Sequence, residues 1–312
     1  LFRSGLSKPT SSIKCAKICA CMWFTAISGM FSAIANDLAK EAPTKAQDST
    51  WSLDDARHSA IVYKPSEIAN ASGPSISDPR SGEIMESHIN WFHNVMKLVH
   101  DWYMIQTAAV DPRARKMTFS DELMGDLIRF VSSHEVGHTL GLRHNYGSSS
   151  TVPTEMLRNK KWVEENGHTP SIMDYARFNY VAQPGDGVVR MFPGIGEYDK
   201  WAVKWGYTWF PGNLTAQQEK QKLDVWTKEK AGNPLYFYGR QGNAYDPRDQ
   251  SEDLGDNAMK ASTYGIANLK RILPNVEKWT FEAGKDFSNL SEIYGEIVGQ
   301  YNRYMGHVTF NI

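Results

Sequence analysis

The residues best placed to do chemistry fall in one stretch, His134-Glu135-Val136-Gly137-His138-Thr139-Leu140-Gly141-Leu142-Arg143-His144. On a helix, His134 and His138 sit about 40° apart around the axis and about 6 Å apart along it, so both rings leave one face. Imidazole nitrogens bind zinc at about 2.0–2.1 Å, and two rings so placed can share one ion. Glu135 flanks that position, where a carboxylate can take a proton from water. A continued helix would put His144 about 240° around and about 9 Å beyond His138, out of reach. Gly141 is the residue best able to end the helix in the left-handed conformation. The chain then turns back and offers His144 as a third ligand. Three histidines leave a fourth position open, the arrangement of a catalytic zinc site.

The elements that must position these residues are legible nearby. Ser120 reads as an N-cap, followed by Asp121 and Glu122 in the first turn. Leu123, Leu127, Ile128 and Val131 form an apolar stripe running into His134, so the sequence predicts a helix over 121–140, buried on one side. Upstream, Ser59 to Lys64 is a predicted strand, Ile68 to Arg80 a loop, and Glu83 to Trp91 an extended segment. Val95, Leu98, Val99 and Trp102 have helical spacing, which predicts a helix over 94–106. His88 and His93 lack ligand spacing and are expected to be solvated or packed. Downstream, helices are predicted at Glu155 to Glu165, Glu197 to Trp205, Gln217 to Glu229, Ala258 to Leu273 and Ser291 to Met305. Gly147 to Thr154 and Gly239 to Asp256 are expected to be polar loops.

The whole chain sets the bounds. Its 312 residues, 41% hydrophobic and 22% charged, suffice for a large core. A net charge of −1 gives no overall field for nucleic acid or an anionic membrane. Ten tryptophans and fourteen tyrosines predict a large aromatic core in preference to a sugar-binding surface. The three cysteines all fall within residues 15–21, so no disulfide framework extends beyond Cys21 and no thiolate lies near the histidines in sequence. Residues 1–45 read as an atypical leader or an unassigned N-terminal segment. Within it, the uncharged run Ile18 to Asn36, ending in Ala33-Ile34-Ala35, reads as a secretory signal or a buried helix, and no stable membrane span is expected.

The eleven-residue stretch, with Ser171-Ile172-Met173-Asp174-Tyr175 after it, resembles the metzincin clan of zinc endopeptidases. Leu140 to Tyr146, Pro170 to Gln183, Ile195 to Tyr207 and Ser251 to Leu269 resemble, more narrowly, the bacterial Met-zincin family, whose zinc-binding domain is also called EcxA-like. The resemblance covers roughly residues 39–312. It implies an α+β, metzincin-like fold: a twisted mixed sheet with the zinc helix in an N-terminal subdomain, then a mainly helical C-terminal subdomain. The expected division is a leader at 1–45, a zinc-dependent catalytic domain at 46–230 and a helical subdomain at 231–312. The clan's opening strand and long helix have no counterpart before residue 39; either residues 18–40 supply a replacement helix or the first strand is missing.

The resemblance also assigns roles. His134, His138 and His144 bind one catalytic Zn2+, Glu135 is the general base, and Met173 supplies the methionine turn. Tyr175 matches a tyrosine that faces the metal in some metzincins; an ordinary core tyrosine is the competing reading. Asp174 is expected to orient a histidine ring. The segment 83–91 is expected to be the sheet edge that pairs with an extended peptide or protein substrate. No other cofactor and no nucleic-acid partner is expected. Localisation is expected in the secreted or cell-envelope fraction of a bacterium, and oligomeric state stays open. The activity implied is a zinc endopeptidase. Two rivals stay open: an idle zinc site in a binding or scaffold protein, and a zinc hydrolase acting on a non-protein amide or ester.

Overall fold

A computed structural model of the chain describes residues 41–242 and 245–312. The expectations for residues 18–40 and for the cysteines lie outside the described residues. The chain forms two compact units: residues up to Asp101 with Thr118–Arg143, and Trp102–Met117 with His144–Ile312. The fold is mixed α+β, with a small mixed sheet in the first unit and a mostly helical second unit.

In the first unit, β1 (Ala60–Lys64) runs parallel to β4 (Ile84–Phe92), in register from Ala60 opposite His88 to Lys64 opposite Phe92. The other side of β4 carries two short antiparallel strands, β2 (Ala71–Ser72) and β3 (Ser75–Ser77). Two expectations are corrected here. Residues 68–80 are not all loop, and β4 is not an edge along its whole length. The serine-rich segment has weak strand propensity, but Ala71 and Ser72 pair opposite Trp91 and Asn90 through main-chain groups, which composition does not report. β4 is therefore flanked on both sides only toward its C-terminal end, at Asn90 and Trp91; over Ile84–Ser87 it pairs with β3 alone, and β1 and β2–β3 are the outer strands.

Side chains on β4 alternate, burying Ser87, Ile89 and Trp91. Trp91 packs with Val95 and Ile128, and Tyr63, Ala71, Met96, Met124 and Val131 close around them. Ile128 and Val131 belong to the long helix α2 (Asp121–Thr139), and Val95 opens α1 (Val95–Thr107). The period-2 pattern of β4 thus meets the period-3.6 stripe of α2, which fixes the rotation of α2 about its axis. Ser120 caps α2, its hydroxyl accepting from the Leu123 N–H at 3.4 Å.

The second unit contains α3 (Lys160–Asn166), α4 (Glu197–Tyr207), α5 (Ala216–Lys230), α6 (Ala258–Ile272), α7 (Val276–Thr280) and α8 (Ser288–Thr309). Gly265 of α6 lets the Tyr304 ring of α8 approach: an added Cβ would lie 2.6 Å from it. Tyr103, Phe178 and Phe192 form a second aromatic group, with ring centroids 4.9–5.8 Å apart. The expected polar loop at 147–154 includes a 3-10 turn, Ser149–Thr151, and Ser148 and Ser149 are buried. The Ser149 hydroxyl donates to the Asp253 carbonyl at 3.3 Å. No helix among the described residues is long and apolar enough to cross a membrane.

Candidate metal centre

Helix α2 delivers His134, Glu135 and His138, and its end delivers the rest. Gly141 has φ +83°, the left-handed region. The Leu142 N–H reaches back to the Gly137 carbonyl at 3.0 Å, and the Gly141 N–H to that of His138 at 2.9 Å. This pair of bonds is a Schellman motif, which needs a left-handed residue at the position Gly141 occupies. The turn it makes redirects residues 142–144. The nitrogen ligand atoms of His134, His138 and His144 all lie within 4.8 Å of one another. Two nitrogens sharing an ion at about 2.1 Å lie at most about 4.2 Å apart, so small ring rotations complete the set. The triad could hold a metal ion.

Hydrogen bonds at the far side of two rings set which nitrogen faces the cluster. His138 Nδ1 donates to the Leu142 carbonyl at 2.9 Å, and His144 Nδ1 donates to Gln241 Oε1 at 2.6 Å. Both partners are oxygens that accept, so each Nδ1 carries the proton and each Nε2 the lone pair a metal requires. Burial also lowers the pKa of His138, favouring the neutral ring that ligates.

Gln241 lies 97 residues from His144 in sequence, and nothing in its local context signals a role. Its placement follows from main-chain packing. Asn145 and Arg240 form an isolated antiparallel bridge, the Asn145 side chain bonds Phe237 O and Gly239 N, and Tyr146 N–H bonds Gly239 O. Gly147 and Gly239 permit this contact, since a Cβ on Gly239 would lie 2.4 Å from Gly147 N. The bridge sets the residue before Asn145 beside the residue after Arg240. These are His144 and Gln241.

The methionine segment supports the same strand of chain. Met173 is fully buried, and its carbonyl accepts from Asn145 N–H at 3.0 Å, one residue beyond His144. Asp199 of α4 holds the segment by accepting from the Ser171 hydroxyl at 2.6 Å and the Ile172 N–H at 2.7 Å. Burial pushes the Asp199 carboxyl up to about 7. Asp174 is corrected from a histidine-orienting role. Its Oδ2 accepts from Ser149 N–H at 2.6 Å and from the Thr169 hydroxyl at 3.0 Å, so it staples two loops together. The Tyr175 ring lies 4.5 Å from that of His144, tilted by 59°, with Tyr146 stacked on His144 at 5.3 Å.

Glu135 is 6% exposed, and its Oε2 has no hydrogen-bond partner among the described residues. Burial raises its carboxyl to about 7. Behind it, an added Cβ on Gly73 would lie 2.5 Å from the Glu135 carbonyl oxygen and 3.2 Å from the His138 Cβ. The β2–β3 edge therefore crosses α2 at the level of the glutamate, and only glycine fits there. His88 and His93 stay away from the triad. His88 bonds Ala60 N–H and Leu53 O, and His93 bonds the Tyr63 hydroxyl.

Searches among curated proteins and among solved structures returned no match to the chain. The family model for Met-zincin matches residues 116–312, a span that holds the three histidines, the Schellman turn and the methionine segment. The chain belongs to the Met-zincin family.

Proposed function

We propose that this protein is a zinc-dependent endopeptidase, with His134, His138 and His144 holding the ion and Glu135 acting as general base. One observation carries the reading: a three-imidazole cluster is accompanied on the same helix by a buried carboxylate whose Oε2 has no hydrogen-bond partner among the described residues. The donor set fits zinc, since neutral imidazoles are favoured zinc ligands and three of them leave a position open. When bound, zinc supplies Lewis acidity, acidifying water to a pKa of about 7 and polarising a carbonyl.

The chain's own groups do the rest. Glu135 takes the proton of the attacking water at Oε2 and passes it to the departing amine. Gln241 and the Leu142 carbonyl hold two rings in their ligating tautomers. The Tyr175 phenol, beside His144, donates to the oxyanion of the tetrahedral state. An extended peptide adds to the β2–β3 edge, whose Ser75, Ile76 and Ser77 are all exposed. Main-chain pairing there aligns a peptide without selecting its side chains.

Digestion of a peptide library by the purified chain, with and without a chelator, tests the proposal. Cleavage that stops on chelation and returns with zinc supports it. A metal-loaded protein that cleaves no peptide while hydrolysing a small ester or non-peptide amide replaces it with the rival hydrolase reading.

A further inference from the structure

The second unit carries a cavity that the peptidase reading does not use. It has a volume of about 300 Å³ and is lined by α4, α5 and the segment after α5. Trp201, Trp226 and Tyr236 supply its aromatic wall, and none of the three is fully buried. Lys200, Lys204, Lys230, Glu197 and Glu229 supply the charge. These aromatics are not core side chains. Helix α5 has no buried residue at all, and the Trp226 ring lies between Lys204 and the Phe210 ring.

The charges are arranged unevenly. Lys200 is bound to Glu197 at 2.6 Å. Lys204 lies 5.3 Å from the Trp226 ring centroid, and Lys230 lies 4.5 Å from that of Tyr236. Two ammonium groups therefore rest on ring faces without a carboxylate salt-bridge partner among the described residues, although Glu229 lines the same cavity. Trp201 and Tyr236 meet edge to face at 5.7 Å, which fixes the wall.

A ligand that fits must offer three things. It needs an anionic group for Lys204 and Lys230, an apolar face for the rings, and hydrogen-bond donors for Glu197 and Glu229. A phosphate has no apolar face and would meet two like-charged carboxylates. A hydrocarbon offers nothing to Lys204, Lys230 and Glu229. A pyranose ring bearing a carboxylate has an apolar C–H face, hydroxyl donors and the anion together. The volume is at the lower end of small-molecule pockets, enough for one or two sugar rings. We propose that this cavity is a saccharide subsite for an acidic pyranose, a hexuronic acid unit of a glycan, with its ring on the tryptophan wall and its carboxylate met by Lys204 and Lys230.

Tryptophan fluorescence tests it directly, because two tryptophans line the cavity. The full chain is titrated with tri-galacturonate, with its methyl ester, with tri-glutamate and with inorganic phosphate. The expected result is saturable quenching by tri-galacturonate, at least tenfold weaker binding of the methyl ester, and no saturation with the other two. The surface pair Lys204→Gln/Lys230→Gln should weaken tri-galacturonate tenfold or more with an unchanged circular dichroism spectrum. Trp226→Phe should shift the quenching amplitude while keeping binding within severalfold. The same lysine variant should cleave a short peptide as the parent does, so failure here is separable from failure of the peptidase reading. Absence of saturable quenching by tri-galacturonate overturns the proposal. So does equal binding of tri-glutamate or phosphate, or an affinity indifferent to the lysine pair.

Discussion

Replacing Glu135 with Gln separates its catalytic role from its structural cost. The amide keeps the shape of the carboxylate and loses the basicity. A positioned general base contributes about 10²–10⁴-fold, so turnover of a fluorogenic peptide should fall by that range while bound zinc stays near one per chain. Stability should move the other way. In the metal-free protein, burial raises this carboxyl from 4.5 to about 7, worth roughly 3 kcal/mol against the ionised form. The sign follows from proton binding. Between about pH 4.5 and 7 the folded state holds the proton that the unfolded state has lost, so stability declines as pH rises through that window. Glutamine removes this decline. Chelator-treated Glu135→Gln should therefore resist urea better than the parent at pH 8, by up to about 3 kcal/mol, and match it near pH 4.5. With the ion bound, the nearby positive charge favours the carboxylate and the difference should shrink. Turnover within threefold of the parent would refute the base assignment. Loss of zinc along with activity would show that the residue supports the metal site, and equal stability at pH 8 would refute the desolvation argument.

Four further outcomes follow from the geometry. Gln241→Ala should weaken zinc binding about 10–100-fold, read by competition with a chromogenic chelator, because the His144 ring loses the acceptor that fixes its tautomer; unchanged affinity would remove Gln241 from the site. Gly141→Ala should cost about 1–2 kcal/mol in urea unfolding, since φ +83° is unfavourable for a side chain, and equal stability would show that the turn can re-form otherwise. Gly73→Ala should reduce peptide turnover more than zinc content, because its Cβ would push the β2–β3 edge off the Glu135 carbonyl. His168 is fully buried, and desolvation holds its ring down to about 3, so it contributes stability that is present above about pH 6.5 and lost as pH falls below it. His168→Gln should therefore flatten the acid limb of the stability profile by about 1 kcal/mol per pH unit between pH 6 and 4, and an unchanged slope would contradict that burial.

What the sequence revealed, and what it hid, divides by range. The zinc helix, its Ser120 cap and its end at Gly141 are local events, governed by hydrogen bonds five residues apart or fewer, and all three were readable. The three ligands are one helical turn and one Schellman turn apart, so their convergence was readable too. The orienting partner of His144 was not, because it depends on a bridge between Asn145 and Arg240 with no local pattern to announce it. The loop reading of residues 68–80 failed for a related reason. β2 and β3 are two and three residues long and rich in serine, and they exist because β4 offers them a free row of main-chain groups. Gly73 looked like a loop glycine; its value lies in the close approach of α2. Asp174, expected near a histidine, faces Ser149 and Thr169, since a side chain's direction within a turn depends on what packs behind it.

The central claim is that residues 134, 138 and 144 bind one ion together. Zinc K-edge absorption on the stoichiometrically loaded chain tests it most directly. Three imidazole nitrogens at about 2.0–2.1 Å, falling to two in His144→Ala, is the result predicted. A first shell without three imidazoles, or one that His144→Ala leaves unchanged, contradicts it.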